Sequence, residues 1–237
     1  MLTLRWHAIR CYSHPISFNG ISRSTSLAKM VVKKRMLLWD WTNSGNNGVP
    51  QQMDKIPFDN NHPFCSVNNW SGWSPAELKG RAPFRPMISN RSKLSGDEWT
   101  QIQNTKEEII LYYNEPDLNG ISPQQAADDW HSHVVPLRQS RGKKLCSPSC
   151  VGDDAGVKWL SDWLDRVKDS PPDFIGIHYY GTDGNACKKF LQDLHNKYPQ
   201  YPVMITELAS ISRNYNDVLG FTTQLSRCYI RILKSAY

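Results

Sequence analysis

Two glutamates stand where apolar runs end. Glu115 follows Leu111-Tyr112-Tyr113-Asn114 and precedes Pro116-Asp117, and Glu207 follows Pro202-Val203-Met204-Ile205-Thr206. A carboxylate where a buried strand emerges is placed to work in a pocket. Two facing one pocket, one kept protonated as an acid and one ionised as nucleophile or base, are what cleavage of a glycosidic bond needs. A single glutamate of this kind reads more readily as a helix-cap neighbour or an ion-pair partner; the pair at analogous strand ends shifts the balance. Around them Trp39, Trp41, Trp70, Trp73 and Tyr179 or Tyr180 offer ring faces on which a pyranose can stack, while Asn114 and His178 offer hydrogen bonds to hydroxyls. Trp159 and Trp163 at helical spacing, and Trp130, read as core.

A frame that delivers such residues to one place must bring several strand ends together. From residue 36 onward short β-rich runs alternate with longer amphipathic ones, which predicts parallel strands joined by crossover helices. Seven strands are expected, over 36–41, 65–70, 84–88, 109–113, 144–149, 174–179 and 203–206. Several are apolar nearly throughout, as strands buried on both faces are. Ser122-Pro123-Gln124-Gln125 supplies an N-cap, a first-turn proline and a capping-box glutamine for a helix over 126–138. Residues 159–167 and 184–198 carry apolar stripes at helical spacing. A doubly wound nucleotide fold needs a glycine-rich turn after the first strand, and Trp41-Thr42-Asn43-Ser44-Gly45-Asn46-Asn47-Gly48 matches neither phosphate-binding pattern. The polar and aromatic residues gather after the strands instead, at the rim where a (β/α)8 barrel builds its active site.

Charge narrows the partner. Of 28 Lys and Arg, seven fall in residues 1–36, which hold no acid, so residues 37–237 carry 21 bases against 22 acids. A nearly neutral body argues against nucleic acid. No run of about 18 apolar residues exists to span a bilayer. Residues 1–32 read as a disordered leader or as sequence upstream of a true start at Met30, and they lack the apolar stretch of an ordinary secretory signal. The six cysteines lack metal-site spacing and read as buried thiols, and no metal ligand set is expected. The sequons Asn69-Trp70-Ser71 and Asn90-Arg91-Ser92 are no more than chance supplies.

The motifs together resemble a known family. Asn114-Glu115-Pro116, Ser122-Pro123-Gln124-Gln125-Ala126-Ala127 with Trp130 behind it, Ser147-Pro148-Ser149, His178-Tyr179-Tyr180-Gly181 and Thr206-Glu207 look like the catalytic core of glycoside hydrolase family 128, the alkali-sensitive-linkage-like group common in fungi. The resemblance runs from about residue 33 to residue 225 and implies one catalytic barrel over 33–237. It implies an O-glycosyl hydrolase of the endo-β-1,3-glucanase type, retaining, with Glu115 matching the acid/base and Glu207 the nucleophile. Asn114 matches the residue that meets the sugar 2-hydroxyl, Tyr180 or Tyr179 the partner of the nucleophile, and Trp41 and Trp70 the subsite walls. It implies β-glucan as partner, no cofactor, a monomer, and a cell-wall or extracellular setting. The family continues into an eighth strand where this sequence stops, so the barrel is expected to lie open, with apolar edges at 36–41 and 203–206. The competing reading is an inactive glucan-binding or wall-associated protein that keeps the pocket without closing the barrel.

Overall fold

The computed structural model describes residues 6–8, 33–40, 53–59 and 61–232. Strands and helices alternate along it. After β1 (Trp6–Ala8) come β2 (Arg35–Leu38), β3 (Phe64–Asn68), β4 (Met87–Ile88), helix α1 (Gly96–Asn104), β5 (Ile109–Asn114), α2 (Pro123–Asp129), α3 (Val135–Arg141), β6 (Lys144–Ser149), α4 (Asp154–Arg166), β7 (Ile175–Gly181), α5 (Gly184–Lys197), β8 (Val203–Ser210) and α6 (Tyr215–Ile232). Each of the seven expected strands is present within a few residues of its place. Trp41 lies outside the described residues. Among those described, no helix is long and apolar enough to cross a membrane.

The strands form two sheets, ordered β3-β2-β1-β8-β7 and β4-β5-β6. Single parallel bridges join them, Val67 to Phe84 on one side and Cys146 to Phe174 and Cys150 to Ile177 on the other. At the β6–β7 seam a side chain replaces part of the ladder, Ser147 Oγ accepting from Gly176 N–H at 2.9 Å, while the main-chain bond from His178 N–H to Cys150 O at 2.9 Å continues it. A Cβ at Gly176 would meet Ser149 Oγ at 2.3 Å, so only glycine lets the strands approach this closely.

The expected open edges are corrected by the structure. Trp6–Ala8 lies between β2 and β8, antiparallel to both, with Trp6 opposite Leu37 and Ala8 opposite Ile205. Ladder hydrogen bonds use main-chain groups alone, so a segment with no strand-like alternation can still satisfy two edges whose amides and carbonyls need partners.

The helix expected over 126–138 runs further at both ends but widens into a π-turn at Trp130–Val134. The widening sits just ahead of Pro136, whose missing N–H leaves an α-ladder one bond short. Trp130, Trp163, Tyr112 and Tyr113 form the aromatic centre of the core, with Trp130 and Trp163 edge-to-face at 5.1 Å and Tyr112 and Tyr113 stacked at 3.9 Å. Trp130 Nε1 donates to Ser170 O at 2.8 Å, whereas the buried Nε1 of Trp163 has no acceptor. Trp130→Phe should therefore cost about 1–3 kcal/mol more than Trp163→Phe, because it orphans a carbonyl while the other removes an unsatisfied donor. Comparing urea unfolding free energies checks this, and equal losses would show that the Trp130 hydrogen bond adds nothing.

Candidate active site

The backbone departs from regular strand geometry where the site residues emerge. The β5–β6 register shifts on either side of Tyr112, and the β7–β8 register shifts between Ile177 and His178. Such bulges re-aim side chains next to functional sites. The non-glycine residues with positive φ among those described are Trp70 at 62°, Tyr113 at 20° and Glu115 at 44°. A conformation of this kind costs of order 1–3 kcal/mol and needs its surroundings to hold it. At Glu115 they do: its N–H donates to Ser149 O at 2.8 Å, and its carbonyl accepts from Asn119 Nδ2 at 2.8 Å and from Asn119 N at 3.0 Å.

These irregularities bring three strands' residues together. One oxygen of Glu115, one of Glu207 and a ring nitrogen of His178 lie within 4.8 Å of one another. His178 is wholly buried, sharing a hydrogen bond of 2.9 Å between Nδ1 and Glu115 Oε1 and placing Nε2 3.7 Å from Glu207 Oε1. Trp70 Nε1 donates to Glu207 Oε1 at 2.6 Å, and the Tyr180 hydroxyl donates to Glu207 Oε2. The Glu207 side chain is 6% exposed and that of Glu115 24% exposed. The same three residues have the spacing of a cation site, but both Glu207 oxygens and the Nδ1 of His178 are already engaged in hydrogen bonds.

The remaining expected site residues divide. Asn114 ends β5 beside Glu115, its Oδ1 buried with no partner. Tyr179 packs its ring on Phe190 at 5.5 Å, as alternation along β7 requires once Tyr180 faces Glu207. Trp39 is buried and donates to Glu77 at 3.2 Å, whereas Trp73 is half exposed. Sequence reasoning assigned His178 to sugar hydroxyls and missed its contact with both carboxylates. It also missed Asp117, whose Oδ2 accepts from Val151 N–H at 3.1 Å and ties the loop after β5 to the loop after β6. The run Asn114-Glu115-Pro116-Asp117 carried the only signal for it.

Comparison with known proteins gives consistent relatives. Residues 41–233 match the family model described as glycosyl hydrolase catalytic core. The crystal structure of a GH128 subgroup VI exo-β-1,3-glucanase from Aureobasidium namibiae is 46% identical, with a TM-score of 0.76 over 83% of this chain and 77% of that one. A GH128 subgroup IV endo-β-1,3-glucanase from Lentinula edodes shares the fold at 22% identity and a TM-score of 0.60, over 79% and 75% of the two chains. Alkali-sensitive linkage protein 1 of Schizosaccharomyces pombe is 37% identical over 115 residues, which are 46% of this chain; the match spans a fifth (20%) of that relative's length.

Asp117 offers a test of the loop tie. Burial, the largest cause, raises its pKa from the ordinary 3.8, with nearby Glu115 and Asp153 adding to the rise. A carboxyl raised on folding contributes its stability below the unfolded value and loses it as pH climbs through the folded value. Asn at 117 keeps an acceptor for Val151 without that loss. Wild type should thus lose stability relative to Asp117→Asn as pH rises above the ordinary carboxylate range of about 4, read from melts at each pH. A difference flat with pH would show that the carboxyl is not strained by burial.

Proposed function

The chain belongs to glycoside hydrolase family 128, and from that membership we propose that it hydrolyses β-1,3-glucan with retention, using Glu207 as nucleophile and Glu115 as acid/base. The observation that carries the reading is the convergence of the two carboxylates within 4.8 Å. Retaining enzymes hold their carboxyl groups about 5–5.5 Å apart, whereas inverting ones leave room for a water. The convergence also disfavours the reading of a binding protein without catalysis.

Roles follow from surroundings. Trp70 and Tyr180 each donate to one oxygen of Glu207, which fixes the carboxylate plane for attack. Glu115 is the more exposed and meets solvent, as a group that exchanges protons with a leaving oxygen and then a water must. In the first step a Glu207 oxygen bonds to the anomeric carbon, the glycosidic C–O bond breaks, and Glu115 gives its proton to the leaving oxygen. In the second, Glu115 takes a proton from water, the water oxygen bonds to the same carbon, and the ester to Glu207 breaks. The unpartnered Oδ1 of Asn114 is an acceptor for the sugar 2-hydroxyl. The frame is a (β/α)8-type barrel in which Trp6–Ala8 stands in the eighth place. The endo expectation loses support, because the relative at 46% identity is an exo enzyme.

Glu207→Gln should abolish release of reducing ends from laminarin and hydrolysis of aryl β-glucosides alike. Glu115→Gln should lose roughly 10²–10⁴-fold on laminarin and much less on aryl glycosides, whose leaving groups need no proton. Equal losses on both substrates in both variants would overturn the roles.

A further inference from the structure

Beside the carboxylate pair lies a cavity of about 590 Å³ whose lining includes Trp70, Arg91 and Asn114. The strand residues just behind the pair are buried, and two of them carry hydroxyls. Thr206 follows Val203-Met204-Ile205, comes directly before Glu207 and is 2% exposed, while Ser149 ends β6 and is wholly buried. A valine at 206 would suit strand β8 as well as threonine does, so strand formation does not call for the hydroxyl.

Its surroundings give it another use. Thr206 Oγ1 lies 2.7 Å from Ser149 Oγ and 3.3 Å from Ile177 O. Each of these neighbours leads to a site residue. Ser149 O accepts from Glu115 N–H at 2.8 Å, and Ile177 is joined to His178, whose Nδ1 meets Glu115 Oε1. Thr206 itself is joined to Glu207, so a single hydroxyl stands close behind all three converging side chains. The register shows how it comes to lie there. Ile177 pairs with Ile205 and His178 with Glu207, which leaves Thr206 as the extra residue of the β8 bulge. A bulge interrupts the ladder, and the apolar packing around it is non-directional. A buried hydroxyl pair has a preferred distance and angle and is costly to leave unmade.

Resting on the hydrolase reading, we propose that Thr206 is a positioning residue for the reaction. Its bond to Ser149 joins the bulge that carries Glu207 to the residue whose carbonyl seats Glu115, and so sets the gap between nucleophile and acid/base. Buried beneath them, it acts through the two glutamates and not on the sugar.

Thr206→Val removes the hydroxyl at nearly constant shape, Ser149→Ala removes its partner, and Thr206→Ser keeps the hydroxyl while trimming the methyl. Thermal melts confirm folding. The readout is kcat/KM on laminarin divided by kcat/KM on an aryl β-laminaribioside with a nitrophenolate leaving group. Both substrates need Glu207, but only laminarin needs the proton of Glu115 in the first step. The ratio therefore follows the placing of one carboxylate against the other and cancels any change in the amount of folded enzyme. Thr206→Val and Ser149→Ala should each lower it roughly tenfold to a hundredfold, the scale of loss that a misplacement of about 1 Å brings. The double variant should lose no more than the worse single one, and Thr206→Ser should stay near wild type. A ratio unmoved in Thr206→Val, or losses that multiply in the double variant, overturns the positioning role and leaves the hydrolase reading standing. Wild type that releases no reducing ends from laminarin overturns the hydrolase reading and this assignment together.

Discussion

Two carboxyl groups whose oxygens come within 4.8 Å repel one another whenever both are ionised, and the rest of the molecule is arranged around holding them there. At such distances the repulsion runs from about 1 kcal/mol in water to about 4 kcal/mol near a protein surface. His178 reaches both, while Trp70 and Tyr180 supply N–H and O–H groups to the Glu207 oxygens. These contacts come from the ends of different strands, so the pair exists only when the sheets are assembled. Neither half of the chain holds it alone.

The aromatic core is the other side of that arrangement. Consecutive strand residues normally face opposite ways, yet Tyr112 and Tyr113 stack at 3.9 Å because β5 is irregular there. Tyr112 donates to Ala126 O and Tyr113 to Asp129, so both hydroxyls are taken by α2. Asp129 in turn holds Arg91. One buried carboxylate thus fastens the strand behind Glu115 to the wall of the neighbouring cavity, and burial with the Asp129 hydrogen bond raises the pKa of Tyr113.

Much of this was legible in the residue order. The seven strands announced themselves as apolar runs, and Glu115 and Glu207 stood out because each closes one. The capping box at Ser122 formed as written. What hid was whatever local propensity does not encode. Trp70, Tyr113 and Glu115 adopt positive φ without being glycine, a choice made by surrounding hydrogen bonds and not by the residues themselves. The pairing of Trp6–Ala8 with two distant strands uses main-chain groups, which leave no mark in side-chain pattern. His178 looked like a ligand for sugar because its neighbours in sequence are tyrosines; its neighbours in space are the carboxylates.

The positive φ of Glu115 has an evolutionary edge. Glycine is the residue that this backbone would choose, and glycine has no carboxyl. At this codon selection for a sturdier fold and selection for turnover pull apart, so a lineage released from the need for activity would drift toward a stabler, silent copy. On the proposed acid/base role, a glutamate at this position is held by its use against the preference of its own main chain.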